Sequence, residues 1–120
     1  MATILIVDDE ALIRWSVCET LESAGYRVHE AGCAREALAL ADGRADVRVI
    51  LLDLKLPDSS DLGLLRQLLQ VAPASRIILM TAHGTPEILD QALKTGAFAV
   101  LTKPFDLQEM VSLVAAAAAA

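Results

Sequence analysis

The stretch VILLDLKLPD, residues Val49 to Asp58, sets four aliphatic side chains in a row and follows them with an aspartate. An apolar run this short, ending in turn residues, reads as a strand buried on both faces, as strands of a parallel sheet are. An unpaired charge in such an interior costs several kcal/mol or more. Asp53 therefore belongs where the strand leaves the core, and a carboxylate there needs a chemical reason.

Similar runs rich in β-branched residues recur on either side: TILIV at 3–7, RVHEA at 27–31, VRVILL at 47–52, RIILM at 76–80 and FAVLT at 98–102. Between them apolar residues return at helical spacing, as Ile13, Val17 and Leu21, then Ala37, Leu38 and Ala41, then Leu64, Leu65, Leu68 and Leu69, then Ile88, Ala92 and Leu93. A fifth helix begins at DLQE, where Asp106 can accept from a free amide and Glu109 can reach back. Gly25 and Gly96 fall just past the first and fourth helices, and Pro86 falls at a helix start. Five strands alternating with five helices predict an α/β fold, a doubly wound parallel sheet with helices on both faces, because parallel strands require right-handed crossovers. The first, third and fourth strands are nearly all aliphatic and are predicted to be central. The second, with Arg27, His29 and Glu30, is predicted to be an edge.

With 120 residues there is room for one domain and one real core, spanning 1–120. The formal net charge is −6 with no Lys/Arg cluster, which excludes the phosphate attraction behind nucleic-acid binding. Cys18 and Cys33 lack the paired spacing of a zinc or redox site and read as reduced cytosolic thiols. The start, MATILIVDDE, meets acidic residues too early for a signal peptide, and no apolar stretch approaches the roughly 20 residues of a membrane span. These features predict a soluble, cytoplasmic protein. The terminal run Ala115 to Ala120 inflates the apolar share and offers no packing or recognition information.

In a doubly wound sheet, ligands bind beyond the carboxyl ends of the strands. Here the first strand is followed by DDE with Asp8 and Asp9, the third by Asp53, the fourth by Thr81 and the fifth by Lys103. Singly, each is an ordinary turn, cap or solvated residue; together they bring three carboxylates, a hydroxyl and an ammonium to one end of the sheet. Three clustered carboxylates require a cation or raised pKa values. Hard oxygen ligands without nearby His or Cys favour Mg²⁺. A carboxylate free to attack, with a lysine and a threonine facing it, supplies the parts for phosphoryl transfer to Asp53 as nucleophile.

ILIVDDE, ILLDLKLPD, MTA and the KP of LTKPF resemble, in order and spacing, the signatures of the receiver domain of two-component response regulators. The resemblance covers the whole chain and implies a flavodoxin-like (β/α)5 fold with strand order 2-1-3-4-5. It implies that Asp53 accepts a phosphoryl group from a phosphohistidine on a sensor histidine kinase. It also implies that Asp8, Asp9, Asp53 and the backbone carbonyl of Lys55 hold Mg²⁺, that Thr81 and Lys103 bind phosphate oxygens, and that the Lys103–Pro104 bond is cis. On this reading the domain catalyses only its own phosphorylation and dephosphorylation. LIRWS, MTAHGT and GAF with KPFD look most like receivers of the nitrogen-regulator type, which control sigma-54-dependent transcription. That likeness implies an ATPase and a DNA-binding module following residue 120, and phosphorylation-dependent homodimer formation through the fourth helix, fifth strand and fifth helix.

Two residues depart from the family pattern. Asp61 stands where a glycine is expected four residues after the proline, so the loop takes a different turn or Asp61 caps the third helix. Val100 replaces the aromatic expected three residues before the lysine. Trp15 reads as a partly exposed side chain of the first helix, His83 as a solvated loop residue or a gate to the phosphate site, and His29 has no evident partner. The enzymatic rival is a Mg²⁺-dependent aspartyl-phosphate phosphatase, which generally carries a second aspartate where Lys55 stands. A flavin mononucleotide binder is the third reading, but no Ser/Thr-rich phosphate loop follows the first strand.

Overall fold

The computed structural model of the chain describes residues 2–58, 62–82 and 84–120. The expectations for Asp61 and His83 therefore fall on residues outside the described ones. Five strands, β1 (Thr3–Val7), β2 (Arg27–Ala31), β3 (Val47–Asp53), β4 (Arg76–Thr81) and β5 (Ala99–Thr102), alternate with five helices, α1 (Ala11–Ser23), α2 (Ala34–Ala41), α3 (Gly63–Val71), α4 (Pro86–Thr95) and α5 (Leu107–Ala119). All pairings are parallel, in the order β2-β1-β3-β4-β5.

Period-two alternation sorts the aliphatic strands into two cores. Leu5, Val7, Ile50, Leu52, Ile77 and Leu79 face Ala37 of α2, Leu65 and Leu68 of α3 and Ala92 of α4. Ile4, Ile6, Val49, Leu51, Ile78 and Met80 face Val17 and Leu21 of α1 and Met110 and Val114 of α5. Truncating one such buried leucine or isoleucine to alanine costs about 2–5 kcal/mol, so each face contributes heavily to stability. The terminal alanines do have a packing role: α5 runs through them, and Ala117 is 1% exposed within the second core.

Helix ends follow partly from local sequence. Asp106 accepts from the Gln108 N–H at 2.7 Å, but among the described residues Glu109 makes no return bond. Pro86 opens α4 behind Thr85, whose hydroxyl accepts from the Ile88 N–H at 3.3 Å. Gly25 and Gly96 take φ of +98° and +131°, ending α1 and α4 as expected. The Lys103–Pro104 bond is cis, as the resemblance implied. His29 gains a partner that the sequence did not suggest, since Arg44, from the connection before β3, places Nη2 3.0 Å from its Nε2. No helix among the described residues is long and apolar enough to cross a membrane.

Candidate functional site

Parallel strands end on the same side, so register decides which strand-end residues meet. Val7 lies opposite Leu52 and Asp53 opposite Met80, which puts Asp8 alongside Asp53 and Thr81 one residue beyond Met80. Thr81 lies opposite Thr102, so Lys103 follows directly on the outer strand. The sequence-predicted residues Asp8, Asp9, Asp53, Thr81 and Lys103 are thus brought to one edge. A 560 Å³ cavity opens there, lined by Asp9, Asp53, Lys55, Thr81 and Lys103 among others.

The burial of these groups is uneven. Asp8, Asp53 and Thr81 are buried, at 0%, 6% and 3% exposure, whereas Asp9 is exposed. The Lys103 ammonium compensates part of the negative charge, donating to Asp8 Oδ2 at 2.9 Å and to Asp53 Oδ2 at 3.2 Å. The second Asp53 oxygen, Oδ1, accepts from the Lys55 N–H at 3.1 Å. Burial pushes the Asp53 carboxyl above its ordinary value, against the Lys55 hydrogen bond, and the Asp8 charge adds to the rise while Lys103 opposes it. Burial disfavours the Lys103 ammonium, yet its bond to Asp8 and the charges of Asp53 and Asp8 outweigh that and hold its pKa above the ordinary lysine value.

Two contributors escaped the sequence reading. Glu10 joins the acidic group, whose ligand oxygens with Asp8, Asp9 and Asp53 lie within 4.8 Å of one another, and its Oε1 is 3.4 Å from Lys103 Nζ. Its signal was the third acidic letter of DDE, which follows the first strand. Arg14 is the other: Nη1 donates to the Asp8 carbonyl at 2.6 Å and Nε to Glu30 Oε1 at 3.3 Å, tying the acidic loop to β2. No spacing rule connects residues 8, 14 and 30, so only the fold could disclose it.

Chemically, a buried carboxylate at a strand end, facing an ammonium and backed by exposed carboxylates, can act as a nucleophile toward an electrophile that enters with a divalent cation. The donor set is all oxygen, and the one ammonium recorded among the four carboxylates leaves the group net negative, so the residues fit a hard cation such as Mg²⁺.

Residues 4–115 match the family model described as the response regulator receiver domain. The chain is 39% identical over 114 residues to the DNA-binding transcriptional regulator NtrC of Azospirillum brasilense, covering 94% of this chain and 23% of that protein. It thus spans about a quarter of the length of that relative. Among solved structures, a response regulator receiver domain protein (CheY-like) from Methanospirillum hungatei superposes with a TM-score of 0.92 at 30% identity, covering 99% of this chain and 94% of that one. A response regulator from Burkholderia pseudomallei, solved with a phosphorylated aspartic acid, a calcium ion and citrate, gives 0.87 at 30% identity, covering 99% and 69%.

Proposed function

The chain belongs to the response regulator receiver family of two-component systems, and on that premise we propose that it is a switch set by phosphorylation of Asp53. The observation that carries this is the Asp53 carboxylate at the end of β3, 6% exposed, paired with Lys103 at 3.2 Å and lining the cavity. The donor is the phosphohistidine of a sensor histidine kinase. An Asp53 oxygen attacks phosphorus, the P–N bond breaks, and its electron pair stays on the imidazole nitrogen, leaving an acyl phosphate. Lys103 and Thr81 receive the phosphoryl oxygens. Asp8, Asp9 and Asp53, with the Lys55 carbonyl, would hold Mg²⁺, which when bound offsets the charge that the acidic group and a phosphoryl group would otherwise concentrate.

The kinase contact falls beside the cavity mouth. Helix α1 presents Leu12 and Trp15, 76% and 60% exposed, and α5 begins with Leu107, 38% exposed, which lines a groove sharing Glu10 and Lys103 with that cavity. Large apolar side chains so exposed mark a surface that another protein covers. The output is transcriptional and of the nitrogen-regulator, sigma-54-dependent kind, a reading supported by the NtrC likeness; with a net charge of −6 this domain leaves DNA contact to other modules.

Incubation with Mg²⁺ and acetyl phosphate, read by intact-mass spectrometry, tests the assignment. Wild type should gain one phosphoryl mass and Asp53→Asn none. Undiminished uptake by the Asn variant would sink the assignment of Asp53, and steady hydrolysis of many equivalents of donor would favour the phosphatase.

A further inference from the structure

Helix α2 is capped from a distant part of the chain. Its N-cap residue, Cys33, is in extended backbone and makes no side-chain cap bond, as expected of a thiol, a weak acceptor. Instead Asp58 Oδ1 accepts from the Ala34 N–H at 2.7 Å and Oδ2 from the Arg35 N–H at 3.2 Å, the first contact joining residues 24 positions apart. A carboxylate is the right group for a helix N-terminus, where free amides and the helix dipole both favour negative charge. The Ala34 bond foremost, with the Arg35 bond, holds the Asp58 carboxyl below its ordinary value.

Asp58 ends the described part of the loop that starts at Asp53. At its near end the Leu54 N–H donates to the Met80 carbonyl at 3.0 Å and the Lys55 N–H donates to Asp53 Oδ1 at 3.1 Å. In the middle, Leu56 is buried in the core shared by α2 and α3. The far end is held by Asp58 on α2. The Lys55 N–H lies only two residues from its acceptor, an Asx-type turn, and anchors on both sides narrow the range over which that turn can move.

We propose that Asp58 is a positioning residue: by clamping the loop to the N-terminus of α2 it keeps the Lys55 N–H on Asp53 and so orients the carboxylate that accepts the phosphoryl group. Only this last clause rests on the function proposed above. The clamp itself is a property of the unliganded protein.

The experiment compares wild type, Asp58→Ala, Asp58→Asn and the double variant Cys33→Asp/Asp58→Ala. The double variant gives α2 a cap of its own without tying it to the loop. Amide hydrogen exchange at Ala34, Arg35 and Lys55 is read without metal, and the rate of phosphoryl uptake from acetyl phosphate is read with Mg²⁺. In Asp58→Ala all three amides should exchange faster, by about tenfold, and uptake should slow several-fold; Asp58→Asn, which keeps one oxygen, should fall between. The double variant should recover protection at Ala34 and Arg35 while Lys55 exchange and uptake stay impaired. Unchanged exchange at Ala34 and Arg35 in Asp58→Ala overturns the clamp. Wild-type behaviour of Lys55 and of uptake in that variant, or their full recovery in the double variant, reduces Asp58 to a helix cap and overturns the positioning role. Absence of uptake by wild type, with the amides responding as expected, would instead defeat the phosphoacceptor assignment and leave the clamp standing.

Discussion

The Lys103 ammonium lies 2.9 Å from Asp8 Oδ2, joining residues 95 positions apart in the chain. Both side chains are shielded, at 11% and 0% exposure, and Asp53 shares the same ammonium. Removing one partner of a buried pair leaves the other charge uncompensated, so Lys103→Met should lose about 3 kcal/mol in urea unfolding at pH 7 without metal, and added Mg²⁺ should restore part of it. The folded state holds the Lys103 pKa above its ordinary value of 10.5. The stabilisation is therefore present in full below that pH and is lost as pH rises through the folded pKa. Wild type and variant should converge in strong alkali; a constant gap across the range would contradict this.

Asp53→Asn should make the metal-free protein more stable at pH 7 while abolishing phosphoryl uptake. Burial and Asp8 raise the Asp53 pKa, so its contribution is favourable below the ordinary carboxyl value and is lost as pH rises through the folded pKa. Asparagine has no proton to lose. Urea midpoints in chelator at pH 7 and pH 3 provide the comparison, with the advantage of the variant expected at pH 7 and reduced at pH 3.

Asp9→Ala should weaken Mg²⁺ binding by about tenfold or more, since it removes both a ligand and a charge from a small oxygen site. Asp9 is exposed, so folding should be unaffected. Titration calorimetry measures this, and an unchanged affinity would place the cation elsewhere.

On binding beryllofluoride, Thr81 should move and the response should pass through the backbone from Gly84 to Thr95 without an aromatic rotamer change. Val100 pairs with Leu79, is stiff about χ1 and is too short to swing outward. Phe98 lies two residues further from the site, or roughly 6.6 Å at the usual strand rise. A Cβ on Gly84 would sit 3.4 Å from both Thr81 Cγ2 and Leu89 Cδ2, so Gly84 lies between Thr81 and the first half of α4. Free and bound structures decide it: a flip of Phe98 with α4 stationary would contradict the prediction.

The domain should associate through α4, β5 and α5, where Leu93 and Phe98 are 52% and 37% exposed. Sedimentation with and without beryllofluoride should show a larger mass in its presence, and Leu93→Asp should remove the difference.

VILLD and its sister runs disclosed all five strands to within a residue, most plainly β1, β3 and β4, because a strand buried on both faces has little room for polar letters. The same logic located the site, since Asp53, Thr81 and Lys103 are where polarity returns. What stayed hidden depends on pairs that the fold creates. Arg14 reaches the Asp8 carbonyl and Asp58 caps α2 across 24 residues, and neither partner carries a local signature. Cys33 even points the wrong way, because a cysteine at a helix start gives no hint that a carboxylate elsewhere supplies the cap. Glu10 was visible as the last letter of DDE, but it sits at the N-cap of α1 rather than at a strand end, so the strand-end argument did not reach it.

At Gly96, a Cβ would stand 2.9 Å from Leu69 Cδ1 on α3. The C-terminal end of α4 is thereby seated on its neighbour, while its opposite end meets solvent at Pro86 and Glu87 and Ala92 is its one fully buried residue. A rod held at one end does not slide; it swings. The displacement predicted at Thr81 would enter at that opposite end, with nearly the whole helix as lever arm and the close approach of Gly96 to Leu69 as fulcrum. Alanine at position 96 would strain the backbone at φ +131° and push the Leu69 side chain aside, loading that fulcrum without touching a single residue of the acidic cavity.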